Sequence, residues 1–300
     1  MISVKDLTKK YQDITAVDNI SFNVKEGEIF SLVGPNGAGK TTTVEILECL
    51  KDPTSGKAKV MGYDISKDEK KIKQNIGVMP QDFNTFERLT ARENIQLAAD
   101  IYGKKGVDEI IKKVGVKDFE DKPFKELSGG MKTKVGIGMT LVSDAPLLFL
   151  DEPTTGLDPR ARRDTWELIK SLKKMGKTIF LTTHYMEEVE ELSDRAGVII
   201  DGKIKVIDSI SDLIKKYGGG VKLIVEKGGD AENIVKDKAD KTTDANESEV
   251  IGLFEEKKKA REALISLFDG DHDVRVDEAG MEEVFLNISG GKIDESGELV

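Results

Sequence analysis

Residues 34–41 read Gly34-Pro35-Asn36-Gly37-Ala38-Gly39-Lys40-Thr41, a complete G-x-x-x-x-G-K-T phosphate loop. The run before it, Glu28-Ile29-Phe30-Ser31-Leu32-Val33, is apolar and β-prone. The run after it, Thr41-Thr42-Thr43-Val44-Glu45-Ile46-Leu47, carries apolar residues at helical spacing. The glycines therefore sit on a strand-to-helix turn, the context in which this motif binds phosphate. Glycine lets backbone N–H groups turn inward with no Cβ in the way. The helix N-terminus adds unpaired N–H groups and a partial positive charge. The expected phosphate-binding set is Gly34, Asn36, Gly37, Gly39, Lys40, Thr41 and Thr42. Within it, Lys40 reaches the β- and γ-phosphates and the Thr41 hydroxyl holds Mg²⁺.

Outward from the loop, residues 1 to about 218 alternate strand-like and helix-like patterns, an α/β signature. Strands are predicted over 2–7, 20–24, 28–33, 56–61, 76–79, 147–150, 178–182 and 197–200. Between Thr90 and Ala145 helical spacing dominates, which predicts a helical subdomain over about 88–145 inserted in the α/β core. Gly218-Gly219-Gly220 is a natural break between a domain over 1–218 and a second over 221–300. Beyond the break, strands are predicted over 221–225, 249–254 and 273–276, and helices over 231–239, 257–268 and 281–288. The helix over 257–268 has its apolar face at Ala260, Ala263, Leu264 and Leu267. The expected appendage is a compact α+β domain of βαββαβ type.

A chain of 300 residues with 38% hydrophobic content has enough apolar material for a core. No apolar run approaches a bilayer span and Met1 opens no signal-peptide pattern, so the expectation is a soluble, cytoplasmic protein. Cys49 is the single cysteine, which excludes an internal disulfide framework. The net charge of −10 is carried by residues 221–300, with 11 basic and 21 acidic residues; the first 220 residues balance. An acidic segment argues against nucleic acid as the main partner, because phosphate backbones are bound by Lys and Arg.

Leu147-Leu148-Phe149-Leu150-Asp151-Glu152 is an apolar strand ending in two acids. Such a strand puts Asp151 at its carboxyl end, where α/β sheets bind ligands and where a carboxylate orients Mg²⁺. Glu152, pointing the other way, polarises an attacking water. His272, in Asp271-His272-Asp273, is expected in an exposed loop with no metal, since no fourth ligand is near in sequence.

Leu127-Ser128-Gly129-Gly130-Met131 precedes Asp151 by about twenty residues and opens a helical stretch, and Thr182-Thr183-His184 follows downstream. With the phosphate loop and the strand acids, this series resembles the ATP-binding subunit of ABC transporters over residues 2 to about 218. The resemblance implies a P-loop ABC cassette that binds ATP and Mg²⁺. It implies that Tyr11 stacks on adenine and that Gln81 touches Mg²⁺ or water and senses a transmembrane partner. Ser128, Gly129 and Gly130 are similar to the signature that closes on the γ-phosphate held by a second subunit, and Asp158 to the loop crossing the dimer seam. His184 resembles the switch histidine on the γ-phosphate. Catalysis then falls to Glu152, His184 and Lys40, and the metal to Thr41, Gln81 and Asp151. The partners implied are a separate permease and a second ATPase subunit, identical or related, with the chain peripheral on the inner face of the membrane. The stretch 77–94 and the ending Glu282-Glu283-Val284-Phe285-Leu286 resemble the subgroup that serves export-type permeases, including multidrug and daunorubicin resistance.

The rival reading is a soluble ABC ATPase acting on nucleic acid, ribosomes or iron–sulfur assembly. A single cassette and the lack of a coiled-coil insertion weigh against it. One departure stands out: Lys132-Thr133-Lys134 follows the signature where the family often has Lys-Gln-Arg, which removes a glutamine from the ribose of the opposite nucleotide. Gly136 and Gly138 run against helix propensity, and the sequence does not explain them.

Overall fold

A computed structural model describes residues 1–270 and 272–290, which group into two compact units divided between Ile207 and Asp208. Asp271 of the Asp-His-Asp trio and residues 291–300 of the expected second domain lie outside the described residues.

In chain order the first unit runs β1 (Ile2–Tyr11), β2 (Ile14–Val24), β3 (Ile29–Val33), α1 (Lys40–Leu47), β4 (Ser55–Val60), β5 (Tyr63–Asp64), α2 (Glu69–Lys73) and β6 (Ile76–Met79). It continues α3 (Ala91–Ile101), α4 (Val107–Val114), α5 (Gly129–Leu141), β7 (Leu147–Asp151), α6 (Pro159–Lys174), β8 (Thr178–Thr183), α7 (Met186–Leu192), β9 (Arg195–Ile200) and β10 (Lys203–Ser209). Six strands form a sheet in the order β10-β9-β3-β8-β7-β6, and the pairings of β3, β6, β7, β8 and β9 with one another are all parallel. A second, antiparallel sheet has the order β2-β1-β4-β5.

The central strands are apolar on both faces because both faces are covered. Leu148 and Leu150 of β7 and Ile179 and Leu181 of β8 pack with residues of α3 to α6. Their neighbours Leu147, Phe149 and Phe180 point the other way, into a core shared with α1 and the antiparallel sheet. There Phe180 meets Phe22, Phe30 and Phe149 at centroid distances of 6.0, 5.6 and 5.5 Å. Each fully buried ring of this kind contributes on the order of 2–3 kcal/mol.

Between β6 and β7 the chain is mainly helical, with α3, α4 and α5. The entry to α3 is a complete capping box: Thr90 accepts from Glu93 N, and the Glu93 side chain accepts from Thr90 N. Gly136 and Gly138, unexplained from sequence, have a packing reason. A Cβ on Gly136 would stand 3.0 Å from the Phe83 ring, and one on Gly138 3.0 Å from Ile95 Cδ1. Helix α5 gives up helix propensity to lie close against α3 and the 80–90 segment.

The second unit holds α8 (Ile210–Tyr217), β11 (Val221–Glu226), α9 (Asp230–Lys238), β12 (Lys241–Asp244), β13 (Glu249–Phe254), α10 (Lys257–Asp269), β14 (Arg275–Glu278) and α11 (Met281–Ser289). Its sheet is antiparallel throughout, in the order β12-β13-β11-β14. From β11 to β14 this is the split βαβ arrangement of ferredoxin-like domains. Its core gathers Leu223, Val225, Val235, Phe254, Ala260, Ala263 and Leu267. Helix α8 groups with this unit: it packs against α11, and the Asn287 amide donates to Tyr217 O at 2.7 Å. The division therefore falls ahead of α8, about ten residues before the triple glycine read as the break.

Candidate functional site

The carboxyl ends of three adjacent parallel strands build the site. Strand β8 lies between β3 and β7, with Leu32 and Asp151 both level with Thr182. Strand β3 delivers the phosphate loop, β7 delivers Asp151 and Glu152, and β8 delivers His184. This is where open α/β sheets bind ligands.

The loop is held in the shape that its glycines permit. Gly37 and Gly39 have φ of 79° and 101°, and a Cβ on Gly39 would stand 2.3 Å from Ala16 O. Helix α1 begins at Gly39 without a side-chain cap, which leaves its first N–H groups for a ligand. Lys40 is 4% exposed, and its ammonium donates to Gly34 O at 2.8 Å and Pro35 O at 3.1 Å. The loop opens on a cleft of about 160 Å³ lined by Ala16, Asn36, Gly37, Gly39, Lys40, Thr41, Thr42, Gln81 and Glu152.

Glu152 is the hub of the cleft. Its Oε1 meets Lys40 Nζ at 3.2 Å. Its Oε2 accepts from Gln81 Nε2 at 3.2 Å, from Thr155 Oγ1 at 3.1 Å and from His184 Nδ1 at 3.1 Å. Burial would raise the Glu152 carboxyl, but the His184 hydrogen bond and the Lys40 charge outweigh it and hold the group down to about 2. The carboxylate is thus ionised at neutral pH while only 5% exposed. Burial pushes the Lys40 ammonium down, against the attraction of Glu152 and Asp151. The Glu152 backbone is left-handed, with φ of 47°, and its N–H donates to Thr182 O and Thr182 Oγ1, both at 3.1 Å. A non-glycine residue held there costs on the order of 1–3 kcal/mol, which the surrounding hydrogen bonds offset.

Asp151 accepts from the Thr182 hydroxyl, and the Thr41 hydroxyl is also within hydrogen-bonding reach of it. Burial raises its carboxyl, against those two hydrogen bonds. Asp151 and Thr41 are all-oxygen donors beside a phosphate cradle, a set that suits a hard divalent cation.

The remaining expected residues stand outside the cleft lining. Tyr11 ends β1 and is 39% exposed, with Lys9 and Lys51 ammoniums 5.0 and 5.4 Å from its ring centre. Ser128 caps α5 by accepting from Met131 N at 3.4 Å. Asp158 caps α6 by accepting from Arg160 N at 3.0 Å and Ala161 N at 2.9 Å. These two helix starts lie side by side: a Cβ on Gly129 would stand 3.0 Å from Leu157, and one on Gly130 2.7 Å from Ala161 Cβ. His272 is half-buried and its backbone N–H donates to Leu267 O, where an exposed loop was expected. Among the described residues no group of three or more His, Cys, Asp or Glu side chains could hold a metal ion.

Sequence reasoning missed Ala16 and Thr155. Ala16 reaches the cleft through tertiary pairing of β2, which leaves no local signal. Thr155 directly follows Glu152-Pro153-Thr154 and was legible only as part of a turn.

Residues 17–155 match the ABC transporter family. The chain is 36% identical over 313 residues to the linearmycin resistance ATP-binding protein LnrL of Bacillus subtilis, covering 97% of this chain and 98% of that one. It is 31% identical over 309 residues to the daunorubicin/doxorubicin resistance ATP-binding protein DrrA of Streptomyces peucetius, covering 98% and 94%. It matches 219 residues of YbhF of Escherichia coli, a multidrug ABC transporter ATP-binding protein by name, at 38% identity, but spans only 38% of that longer chain. Among solved structures, a dimeric ATP-binding cassette in a post-hydrolysis state with ADP and phosphate superimposes with a TM-score of 0.63 at 29% identity, covering 70% of this chain and 98% of that one. A phosphate loop feeding a buried, ionised glutamate, in a chain aligned almost end to end with such relatives, makes this protein a member of the ATP-binding subunits of ABC transporters, an ATPase.

Proposed function

We propose that this subunit hydrolyses Mg-ATP in a site completed by a second ATPase subunit, and that the cycle drives export through a separate permease on the inner face of the membrane. The observation that carries the reading is the convergence of Lys40, Gln81, Thr155 and His184 on one buried carboxylate at the mouth of the phosphate loop. An ionised glutamate that faces a cationic lysine at the mouth of the phosphate loop is placed to accept a hydrogen bond from an attacking water and orient it. Lys40 and the α1 N-terminus hold the β- and γ-phosphates, and His184 bonds the γ-phosphate. Thr41, Asp151 and Gln81 would hold Mg²⁺, which would supply positive charge to offset that of the phosphates. Tyr11 stacks on the adenine.

Ser128, Gly129, Gly130 and Asp158 serve the ATP of the other subunit. Their helix start carries backbone N–H groups and a hydroxyl for an anion but lies outside the lining of this chain's own cleft. Among the described residues no helix is long and apolar enough to cross a membrane, in keeping with a transport path in another polypeptide. The names of LnrL and DrrA lead us to propose a drug-like or other amphiphilic cargo, chosen by the permease. Residues 1–207 are proposed as the ATPase domain and the unit from Asp208 onward as a modulator of the dimer.

The test is ATPase rate per subunit against protein concentration for the full chain. A rate that climbs through the dissociation range is expected; a flat rate in demonstrated monomers overturns the shared site. Co-purification from solubilised membranes separates transport from the rival reading: a membrane-spanning subunit in fixed stoichiometry is expected, and bound nucleic acid in its place favours the rival.

A further inference from the structure

His184 is followed after one residue by α7, so whatever anchors α7 anchors the imidazole. The inner face of that helix carries Glu188, a carboxyl with 0% exposure. Its Oε1 accepts from Thr154 Oγ1 at 2.7 Å and from Trp166 Nε1 at 2.9 Å. Thr154 lies two residues beyond Glu152, and Trp166 lies on α6, the helix capped by Asp158. One buried oxygen therefore ties three segments: the loop after Glu152, helix α6 and the helix after His184.

A second tie runs beside the first. The His184 and Tyr185 rings are 4.2 Å apart, and the Arg162 guanidinium of α6 sits 4.2 Å from the Tyr185 ring centre. Helix α6 thus grips the residues on both sides of the turn into α7, Tyr185 through Arg162 and Glu188 through Trp166. An apolar residue at 188 would leave the Thr154 hydroxyl and the Trp166 indole N–H buried without an acceptor, so the tie depends on this oxygen. Burial pushes its carboxyl up, against hydrogen bonds from Thr183, Thr154 and Trp166 and the charge of Arg162.

We infer that Glu188 is a positioning residue for hydrolysis: its buried carboxyl locks α7, and with it His184, to the loop that carries Glu152. The inference rests on the roles proposed for Glu152 and His184. Glu188 itself lies outside the lining of the nucleotide cleft. The lock holds His184 Nδ1 at 3.1 Å from Glu152 Oε2, a separation that a free α7 would not keep.

The experiment uses the full chain and four variants, Glu188→Ala, Glu188→Gln, Thr154→Val and Glu152→Gln, with kcat, KM and nucleotide affinity measured apart. Trp166 is the chain's single tryptophan, so its emission reports directly on the bond to Glu188. Glu188→Ala is expected to lower kcat about tenfold to a hundredfold, the scale of a small misplacement of reacting groups, with KM and nucleotide affinity unchanged. Glu188→Gln keeps an oxygen for the same two donors and restores most of the rate and the native Trp166 emission. Thr154→Val lowers kcat while sparing the Trp166 bond. Wild-type kcat in folded Glu188→Ala and Thr154→Val overturns the inference, as does a Glu188→Gln variant as slow as the alanine. If the alanine variant fails to fold, Thr154→Val and Glu188→Gln decide alone. Full turnover in Glu152→Gln refutes the underlying reading instead, whatever the 188 variants do.

Discussion

Helices α1 and α5 both start on glycine-rich turns, yet their N-termini are built differently. The α1 start has no side-chain cap, and its first residue, Lys40, is buried against Gly34 O, Pro35 O and Glu152. The α5 start is capped by the Ser128 hydroxyl, and Ser128 and Gly129 are exposed to solvent. Both ends offer backbone N–H groups to an anion. Only α1 adds a cation, a buried carboxylate and a cleft. Under the proposed shared site, one chain carries a full cradle and, elsewhere, the lid of another. The lid is shaped by what lies beneath it, since Gly129 and Gly130 leave room for Leu157 and Ala161 at the start of α6.

The largest effects belong at the α1 end. Lys40→Ala removes the countercharge from a buried carboxylate and the cation from the phosphates. Nucleotide binding is expected to weaken by about 2–5 kcal/mol, measured by titration calorimetry. Glu152→Gln should leave ATP affinity intact and lower kcat by about 10²–10⁴, because the carboxylate acts on water. Sizing chromatography with Mg-ATP is then expected to show a stable dimer. Loss of ATP affinity in Glu152→Gln would mean that the hub serves binding, and the contrast with Lys40 would collapse.

At the α5 end, Gly130→Ala brings a Cβ within 2.7 Å of Ala161 Cβ and must part the two helix starts. The expected cost in stability is about 1–3 kcal/mol, the usual range for overpacking, read from the denaturation midpoint. ATPase should fall while nucleotide affinity of the isolated subunit is unchanged. A variant that instead loses nucleotide affinity would erase the distinction between the two helix ends.

The cradle was legible in the sequence because it is local. Eight consecutive residues specify the loop, and an apolar strand ending in Asp151-Glu152 specifies its neighbour. The signature was equally legible, but its glycines read only as a motif; their packing against α6 depends on a helix thirty residues downstream. The same limit hid the Thr154–Glu188–Trp166 cluster, whose members are apart in sequence and ordinary one by one. Strands β10 and β12 escaped notice because Lys203–Ser209 and Lys241–Asp244 are polar at most positions. Residues 210–217 lie before the triple glycine and so read with the first domain; their helix, α8, packs against α11 of the second unit.

The far end of α1 supplies a pH-dependent contrast with α5, whose residues 129–141 include no acid. Glu48 caps α1, is buried, and is raised from 4.5 to about 8 by burial, Asp151 and Glu45. Folded protein keeps this proton where unfolded chain has lost it, so unfolding releases a proton in that window. Stability from this group is full below about pH 4.5 and is lost as pH rises to about 8. The slope is at most about 1.4 kcal/mol per pH unit. Glu152 works in the opposite sense and at lower pH, losing its contribution as pH falls from 4.5 towards about 2. Glu48→Gln should flatten the fall on the alkaline side in melting experiments without nucleotide. An unchanged profile would remove Glu48 as its source.

The smallest effect separates the two helix ends most cleanly. Ser128→Ala removes one hydroxyl from the α5 start and leaves every backbone N–H in place. Loss of an N-cap costs about 1 kcal/mol, so the subunit should melt slightly lower and stay folded. Ser128→Thr keeps the hydroxyl and should restore most of that loss. Because Ser128 lies outside the cleft lining, ATP affinity of the isolated subunit should be the same in all three proteins. The ATPase rate should not be: if Ser128 serves the nucleotide of a second subunit, the alanine variant needs more protein to reach half its maximal rate. A mixture with Lys40→Ala sharpens the point. Each Lys40→Ala subunit lacks a cradle but keeps its Ser128 lid, so adding it in excess to the Ser128→Ala protein should raise turnover at the intact cradles. Failure of that complementation, in proteins shown to associate, would mean that α5 acts within its own chain and that two helix ends of different construction serve one site.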